Sequence, residues 1–343
     1  MRRLFEITAL TFALLLAVPQ LAWSRSVPQL SPPTVPSQPQ MPATDGLQGQ
    51  ARRIVADCLS DANPQVRANA VEVVATTRDL LLMPTVRKLL ADEVIPVRFA
   101  AALAVGDLQY GQARDEIARL LNDPNPNIKI AASYAIARLG NPEYYKILGN
   151  AVKSQDQTVR ANAALLLGKS GRQEGLPLLY ETMQRSDSED KVVLQAAESI
   201  AMLKDRKIYS KLWTRLISAY ADDRVIGIRA MGALGTQEAR NALVTMLDDA
   251  VPEVRLATAE QLGKLGDPTG EREVLAVLNK YPGSDADPES RARIKILTAL
   301  AIGEIGTPAV TRHLPDLLRD QSQLVRLAAA KAVLRSAPQK AGS

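Results

Sequence analysis

The chain has 343 residues, a formal net charge of +5 and a single cysteine, Cys58. One cysteine excludes an intramolecular disulfide and any metal site built from several thiolates. So small a charge over this length disfavours a dedicated nucleic-acid-binding surface. Hydrophobic residues make up 46% of the chain but aromatic residues only 4%. We therefore expect many thin layers of alanine, leucine, valine and isoleucine rather than one thick core.

Residues 1–24 have the features of a secretory signal peptide. A basic start, Arg2 and Arg3, precedes an apolar run over residues 7–18, and Ala22 and Ser24 occupy the −3 and −1 positions of a cleavage site. The run is shorter than the roughly 20 residues of a membrane-spanning helix. We expect a periplasmic or secreted protein, cleaved near Ser24 and without a membrane span afterwards. Twin-arginine export and an uncleaved anchor are the alternatives.

Residues 25–47 form a proline-rich segment, with Pro28, Pro32, Pro33, Pro36, Pro39 and Pro42 among polar residues. Such a composition buries little and favours an extended, disordered linker of polyproline character. A ligand for a proline-binding domain is the less favoured interpretation. The folded part is predicted to span residues 48–337, and residues 338–343 a disordered tail.

The folded part repeats about every 31 residues. We take as the anchor of each unit the position that is equivalent to Arg67, the basic residue of a recurring Val-Arg pair. The residue seven positions after the anchor is apolar, and small residues lie between the two, as in one stripe of an amphipathic helix. Eleven positions after the anchor, glycine ends this helix in five units. Asn-Pro, Asp-Pro or Thr-Pro then begins a second helix in three of them. The anchors are Arg67, Arg98, Lys129, Arg160, Val193, Arg224, Arg255, Lys295 and Arg326.

These patterns predict an all-α solenoid of about nine stacked helical hairpins. Gly46–Ser60 is predicted to be an unpaired second helix at the front, and Leu324–Ser336 a first helix at the back. The second helices are predicted to line the inner face of an arc.

The period, the paired helices and the recurring Asp…Val-Arg…Ala-Ala…Leu-Gly signature resemble the short HEAT-like repeats of phycobilisome lyases. The resemblance spans roughly residues 48–337 and implies an α-solenoid. It is specific for fold and unspecific for function, since one repeat serves many tasks. It offers two alternative functions, a bilin lyase or its chaperone-like subunit, and a nucleic-acid-binding module.

A basic anchor and an acid six positions before it recur together in most units. Because a ligand site rarely needs the same pair in every unit, we interpret the pairs as a structural ladder in which the acid caps a helix and bonds along the stack. The functional alternative is a charged surface that grips a partner. The ladder comprises Asp61, Arg67, Asp92, Arg98, Asp123, Lys129, Arg160, Asp249, Arg255, Asp320 and Arg326.

Two predicted second helices carry aromatic residues. Tyr144 and Tyr145 lie in one, and Tyr209 and Trp213, four residues apart and hence on one helical face, lie in another. We interpret these four as candidate partner-binding residues. The alternative is that they fill gaps between neighbouring helix pairs.

Residues for catalysis are scarce. His313 is the only histidine, which disfavours the multi-histidine metal sites of HEAT-like deoxyhypusine hydroxylases. Cys58 and His313 are expected at opposite ends of the array, so a Cys–His nucleophilic pair is disfavoured. The insertion around residues 281–289 lacks the spacing of a calcium-binding loop. We expect no catalytic residue, no metal and no cofactor, and predict an exported scaffold that binds a protein partner on its concave face.

Overall fold

A computed structural model describes residues 46–280 and 287–336. Within these ranges the chain forms helices and turns and no strand, and no helix has the length and hydrophobicity of a membrane span. The predicted signal peptide, nearly all of the predicted linker and the predicted tail lie outside the described residues. The helices are α1 Leu47–Leu59, α2 Pro64–Thr77, α3 Met83–Lys88, α4 Ile95–Asp107, α5 Arg114–Leu120, α6 Pro126–Arg138, α7 Tyr145–Ala151, α8 Gln157–Lys169, α9 Leu176–Gln184, α10 Asp190–Met202, α11 Tyr209–Leu216, α12 Ala221–Leu234, α13 Gln237–Thr245, α14 Pro252–Lys264, α15 Glu271–Lys280, α16 Pro288–Ile305, α17 Pro308–Thr311, α18 Leu314–Leu317 and α19 Gln323–Ser336.

Local chemistry explains how each hairpin begins and ends. The side chain of Asn63 accepts a hydrogen bond from the backbone N–H of Gln65 and caps α2, whose first residue is Pro64. Gly235 and Gly306 end α12 and α16 with φ of 65° and 69°, a left-handed conformation that glycine adopts without steric cost. The repeating sequence signals therefore set the helix boundaries directly.

The helices form two layers. Those that contain the anchor positions, which we call anchor helices, pack against the anchor helices before and after them, and they are buried on most sides, as in α8 and α19. The helices between them, which we call outer helices, bury one face; α11 buries only Leu212 and Leu216. The anchor helices therefore make the inner layer, and the prediction that the second helices line the inner face is wrong.

Glycines let the anchor helices approach closely. A Cβ atom on Gly168 would lie 2.7 Å from Cβ of Ser199 on the next anchor helix, and one on Gly303 would lie 2.7 Å from Cα of Ala332. Both separations are too short for real atoms. Glycine at these positions thus sets the spacing between α8 and α10 and between α16 and α19.

The first and last helices meet. Helix α1 packs along α19, and α19 also packs against α2. The side-chain amide of Gln323 donates a 2.6 Å hydrogen bond to Asp61, and Lys331 lies 3.6 Å from Glu72. Helix α1 therefore supplies the outer helix that the α19 unit lacks. The array of about nine helical hairpins is confirmed, but it is closed into a ring, and the prediction of two unpaired helices at opposite ends is wrong.

Candidate functional site

The charged ladder is built into the turns between units. In its first rung Arg67 donates from Nε and Nη2 to the carboxylate of Asp92 in the next unit, at 2.8 and 2.9 Å. Its Nη1 donates to the carbonyl of Asp61 at 2.8 Å, while Asp92 also accepts from the backbone N–H of Val94. Burial raises the pKa of Asp92, but the bonds from Arg67 and Val94 outweigh it, so that the pKa lies below its ordinary value of 3.8.

Other rungs repeat this geometry with variations. Arg255 binds Glu273, on α15, at 3.0 Å instead of an acid that precedes the next anchor. Arg326 donates to the carbonyl of Asp320, while its neighbour Asp61 accepts from Gln323 across the closure. These side chains therefore bond mainly within the ring. The remaining ion pairs are Arg98–Asp123 at 3.3 Å, Arg160–Asp187 at 3.0 Å, Arg224–Asp249 at 2.7 Å and Lys295–Asp320 at 2.6 Å.

The ladder is interrupted at two units. The residues that face Lys129 and Val193 in the following units are Ser154 and Ser218, which carry no charge. Ser218 instead bonds to Asp223 at 2.9 Å. Val193 also lacks the charge of an anchor, so the second interruption removes both members of the pair.

Sequence reasoning missed a cluster of charges inside the ring. Glu72, Glu198, Arg229, Glu260 and Lys331 each stand five positions after an anchor, where other units have leucine or tyrosine. Glu260 is 1% exposed and Lys331 5%. The alternation of both signs in that one column was the available signal, because a charge in an otherwise apolar column must find a partner.

Glu198 on α10, which is half-buried, and Glu260 on α14, which is buried, have opposite pKa shifts. Burial raises the pKa of Glu198. Burial also opposes ionisation of Glu260, but Lys264, at 2.7 Å, together with Lys331 and Arg229, lowers its pKa overall. The cluster has three acids and two bases, and Lys264 supplies the third positive charge. Within the described residues no group of three or more His, Cys, Asp or Glu side chains could hold a metal ion.

Cys58 and His313 have different hydrogen-bond partners. The thiol of Cys58 is 1% exposed and lies 3.7 Å from the amide of Gln323. Burial, chiefly, raises its pKa to about 11, so the thiol stays protonated and unreactive. The imidazole of His313 accepts a hydrogen bond from Arg312. Because α1 and α19 pack together, the expectation that Cys58 and His313 lie at opposite ends of the array is wrong.

Tyr144 and Tyr145 are partly buried and pack against the core. The guanidinium of Arg172 lies over the ring of Tyr145, 5.2 Å from its centroid, a cation–π contact between neighbouring units. The structure thus places this pair at a junction between units.

Tyr209 and Trp213 lie on α11, in the outer layer. Their rings stack with centroids 6.3 Å apart and planes at 27°. Tyr209 packs against the core, whereas Trp213 is 39% exposed. Ile217 and Tyr220, which follow α11, are 68% and 67% exposed. We call Tyr209, Trp213, Ile217 and Tyr220 the α11 patch. It lies outside the ring and not on the inner layer where the sequence placed its aromatic pair.

Sequence reasoning missed Ile217 and Tyr220 because they fall in a turn. The signal was in the repeat: the position seven residues before the anchor holds Asn122, Lys153 and Asp248 in other units and Ile217 here. An apolar residue in a polar column of exposed turns indicates a surface feature of that unit alone.

Comparison with known proteins identifies the repeats. A family model of HEAT repeats matches residues 53–117, 114–201, 146–227 and 210–297. Bilin biosynthesis protein MpeU of Synechococcus is 34% identical over 113 residues, 32% of this chain and 37% of that protein. A HEAT repeat-containing taxis protein of Halobacterium salinarum is 29% identical over 190 residues, 55% of this chain and 41% of that protein. The chain spans about two fifths of the length of these curated relatives.

Two solved structures are similar over 77% of this chain and 98% of their own. The complex of CpcE and CpcF of phycocyanin lyase from Nostoc is 18% identical, with a TM-score of 0.44. Human deoxyhypusine hydroxylase is also 18% identical, with a TM-score of 0.35.

Proposed function

Because the chain belongs to the HEAT-repeat family, we propose that it is an exported, non-catalytic scaffold that binds a protein partner. The docking surface is the α11 patch on the outside of the ring. The apolar run of residues 7–18 supports the export half of this proposal.

The exposure of Trp213 carries the proposal. Its indole is held against Tyr209 and still presents 39% of its surface to solvent. A ring fixed in this way loses little conformational entropy on binding. Tryptophan and tyrosine are enriched among the residues that dominate binding energy, and Ile217 and Tyr220 are two further exposed hydrophobic side chains of the same unit.

The state of the reactive groups supports a binding role. The thiol of Cys58 is buried, with a pKa raised to about 11. The acids inside the ring are matched by Lys264, Lys331 and Arg229. Catalysis would need a reactive thiol or an available acid beside a space that a substrate can enter.

The test is affinity capture from the envelope fraction with wild type and the double variant Trp213→Ala, Tyr209→Ala. We expect a partner band that the double variant loses at least tenfold while its circular dichroism and melting temperature show that it is folded. The matched control is Leu81→Ala, since Leu81 is 69% exposed in another unit. Equal capture by wild type and double variant would overturn the proposal.

A second candidate is handling of a bilin. Its support is the 34% identity to bilin biosynthesis protein MpeU over 113 residues. The check is to mix the purified protein with a free bilin and record the absorbance spectrum. A shifted and sharpened long-wavelength band favours this candidate, and an unchanged spectrum rejects it.

A further inference from the structure

Positive charge is concentrated around α11. Lys204, Arg206, Lys207, Lys211 and Arg215 fall within twelve residues, and Asp205 is the one acid among them. The next outer helix, α13, contains one glutamate and one arginine. The excess therefore belongs to this unit and is not a property of outer helices.

Two nearby acids, Asp205 and Asp223, are already engaged. Asp205 accepts the backbone N–H of Lys207 at 3.0 Å and the hydroxyl of Tyr180 at 3.2 Å. Asp223 accepts from Ser218 and lies 3.7 Å from Arg215. The exposed ammonium groups of Lys207 and Lys211 have no acid at ion-pair distance in the part of the chain that the structure describes. They are available to carboxylates of a partner.

A cavity of about 140 Å³ opens beside these charges, between α9, α10, α11 and α12. Met183, Leu194, Ala197, Leu212 and Ala230 supply apolar walls, and all five are less than a tenth exposed. The polar members of the lining are Lys211, Thr214 and Arg215, and the first two are exposed. The cavity thus has apolar side chains on α9, α10 and α12 and a polar, basic side formed by α11.

The cavity lies where the ladder is interrupted. Val193 lines it where most other units place an arginine or lysine that reaches to the following unit. Gly227 brings α12 close to α11, since a Cβ atom there would lie 2.9 Å from Cβ of Arg215. The cavity is therefore a consequence of the sequence of this one unit.

The volume of the cavity indicates which side chain could fill it. A cavity of 140 Å³ is well below the roughly 300–1,000 Å³ of cofactor and drug sites. An apolar cavity of about 150 Å³ accommodates benzene, so a single phenyl side chain fits. Carboxylates next to that side chain would meet Lys207, Lys211 and Arg215, which gives the charge complementarity that specific interfaces use.

We infer that α11 binds an acidic protein segment that inserts one phenylalanine side chain into this cavity. The inference goes beyond the proposed function, since it adds a second contact surface and names its chemistry. The cavity and Trp213 occupy different sides of α11, because residues 211 and 213 point about 200° apart on a helix. The segment therefore binds the flank opposite the α11 patch, and the two contacts are separable by mutation.

The test uses a fluorescein-labelled peptide, Gly-Asp-Glu-Asp-Phe-Asp-Glu-Gly, and fluorescence anisotropy against the full chain. We expect saturable binding that weakens at least tenfold when the peptide phenylalanine is replaced by alanine, and again when NaCl is raised. Ala197→Leu, which fills the cavity with a good helix former, and Lys211→Glu should each weaken binding at least tenfold. Lys146→Glu, an exposed lysine of outer helix α7, should bind like wild type.

Three results would overturn the inference. They are absence of peptide binding, equal binding of the alanine peptide, and equal binding by the Ala197→Leu protein. Vesicles of anionic phospholipid are the competing probe; sedimentation with them that depends on Lys211, without peptide binding, would assign α11 to a membrane surface instead. If partner capture still depends on Trp213 but the peptide does not bind, this inference is overturned and the proposed function is unaffected.

Discussion

The side-chain amide of Gln323 donates a 2.6 Å hydrogen bond to the carboxylate of Asp61 across 262 positions of sequence. One residue begins the last helix and the other follows the first, so this bond lies on the seam that closes the ring. Lys331 and Glu72 add an ion pair at 3.6 Å on the same seam. An open solenoid exposes its two terminal units to solvent; here each terminal helix is covered by the other.

Closure predicts energetic coupling between Glu72 and Lys331. In a double-mutant cycle with Glu72→Gln and Lys331→Met, we expect a coupling free energy of about 1 kcal/mol, since residues in contact couple and distant residues do not. Urea denaturation of the four proteins measures it. The control cycle pairs Lys331→Met with Glu93→Gln, whose acid lies outside the seam, and should give a coupling near zero. Equal values in both cycles would contradict a closed ring in solution.

The repeat could be predicted from the sequence because each unit contains the residues that begin and end its own helices. Asn63 and Pro64 mark a helix start, and Gly235 a helix end, through local chemistry that needs no knowledge of the rest of the fold. The closure of the ring could not be predicted from the sequence. It depends on the small rotation from each unit to the next, accumulated around the ring, and no single residue encodes that rotation.

The candidate site was readable only in part. Trp213 stood out by its type, but whether α11 faces inward or outward is decided by which helices pack into the inner layer. Ile217 and the missing charge at Val193 were visible as departures from their columns. Their combination into a cavity depends on the approach of α12 at Gly227, which is a tertiary contact.

The buried rung at Arg160 should stabilise the fold more than an exposed bond to the same acid. Arg160 is 0% exposed and donates to Ser154, Asp187 and Ser188. Arg160→Ala should cost about 3 kcal/mol of unfolding free energy, because it removes several charge-assisted hydrogen bonds in a buried site. Arg185→Ala, the control, removes solvent-exposed bonds to Asp187 and should change the stability far less, because exposed ion pairs are screened by water and salt. Equal shifts in the urea midpoint would refute this ranking.

Glycine at position 303 should resist replacement by alanine. Alanine in place of glycine ordinarily stabilises a helix by about 0.5–1 kcal/mol. At Gly303 the new methyl group would lie 2.7 Å from Cα of Ala332, so we expect a net loss of about 2 kcal/mol from overpacking. Gly149→Ala is the control, since its nearest neighbour is the movable end of Leu178 at 3.3 Å. Thermal melting should fall for the first variant and stay level or rise for the second.

Glu198 and Glu260, both in the ring interior, should respond oppositely to the same substitution. The pKa of Glu198 is raised, chiefly by burial. An acid with a raised folded pKa loses stability as pH rises above its ordinary value of 4.5, because the unfolded chain gives up the proton more readily. Glu198→Gln removes that penalty, so we expect a gain of up to about 1 kcal/mol at pH 8 and less at pH 4.

For Glu260 the sign reverses. Burial opposes its charge, but Lys264, Lys331 and Arg229 hold its pKa below 4.5, so its contribution is present above pH 4.5 and is lost as pH falls through the folded pKa. Glu260→Gln leaves the buried Lys331 and its neighbouring cations without their acid and should cost about 3 kcal/mol at pH 8, with a smaller loss at low pH. Urea denaturation of both variants at several pH values measures this. If both variants changed the free energy of unfolding in the same direction, the described difference between Glu198 and Glu260 would be refuted.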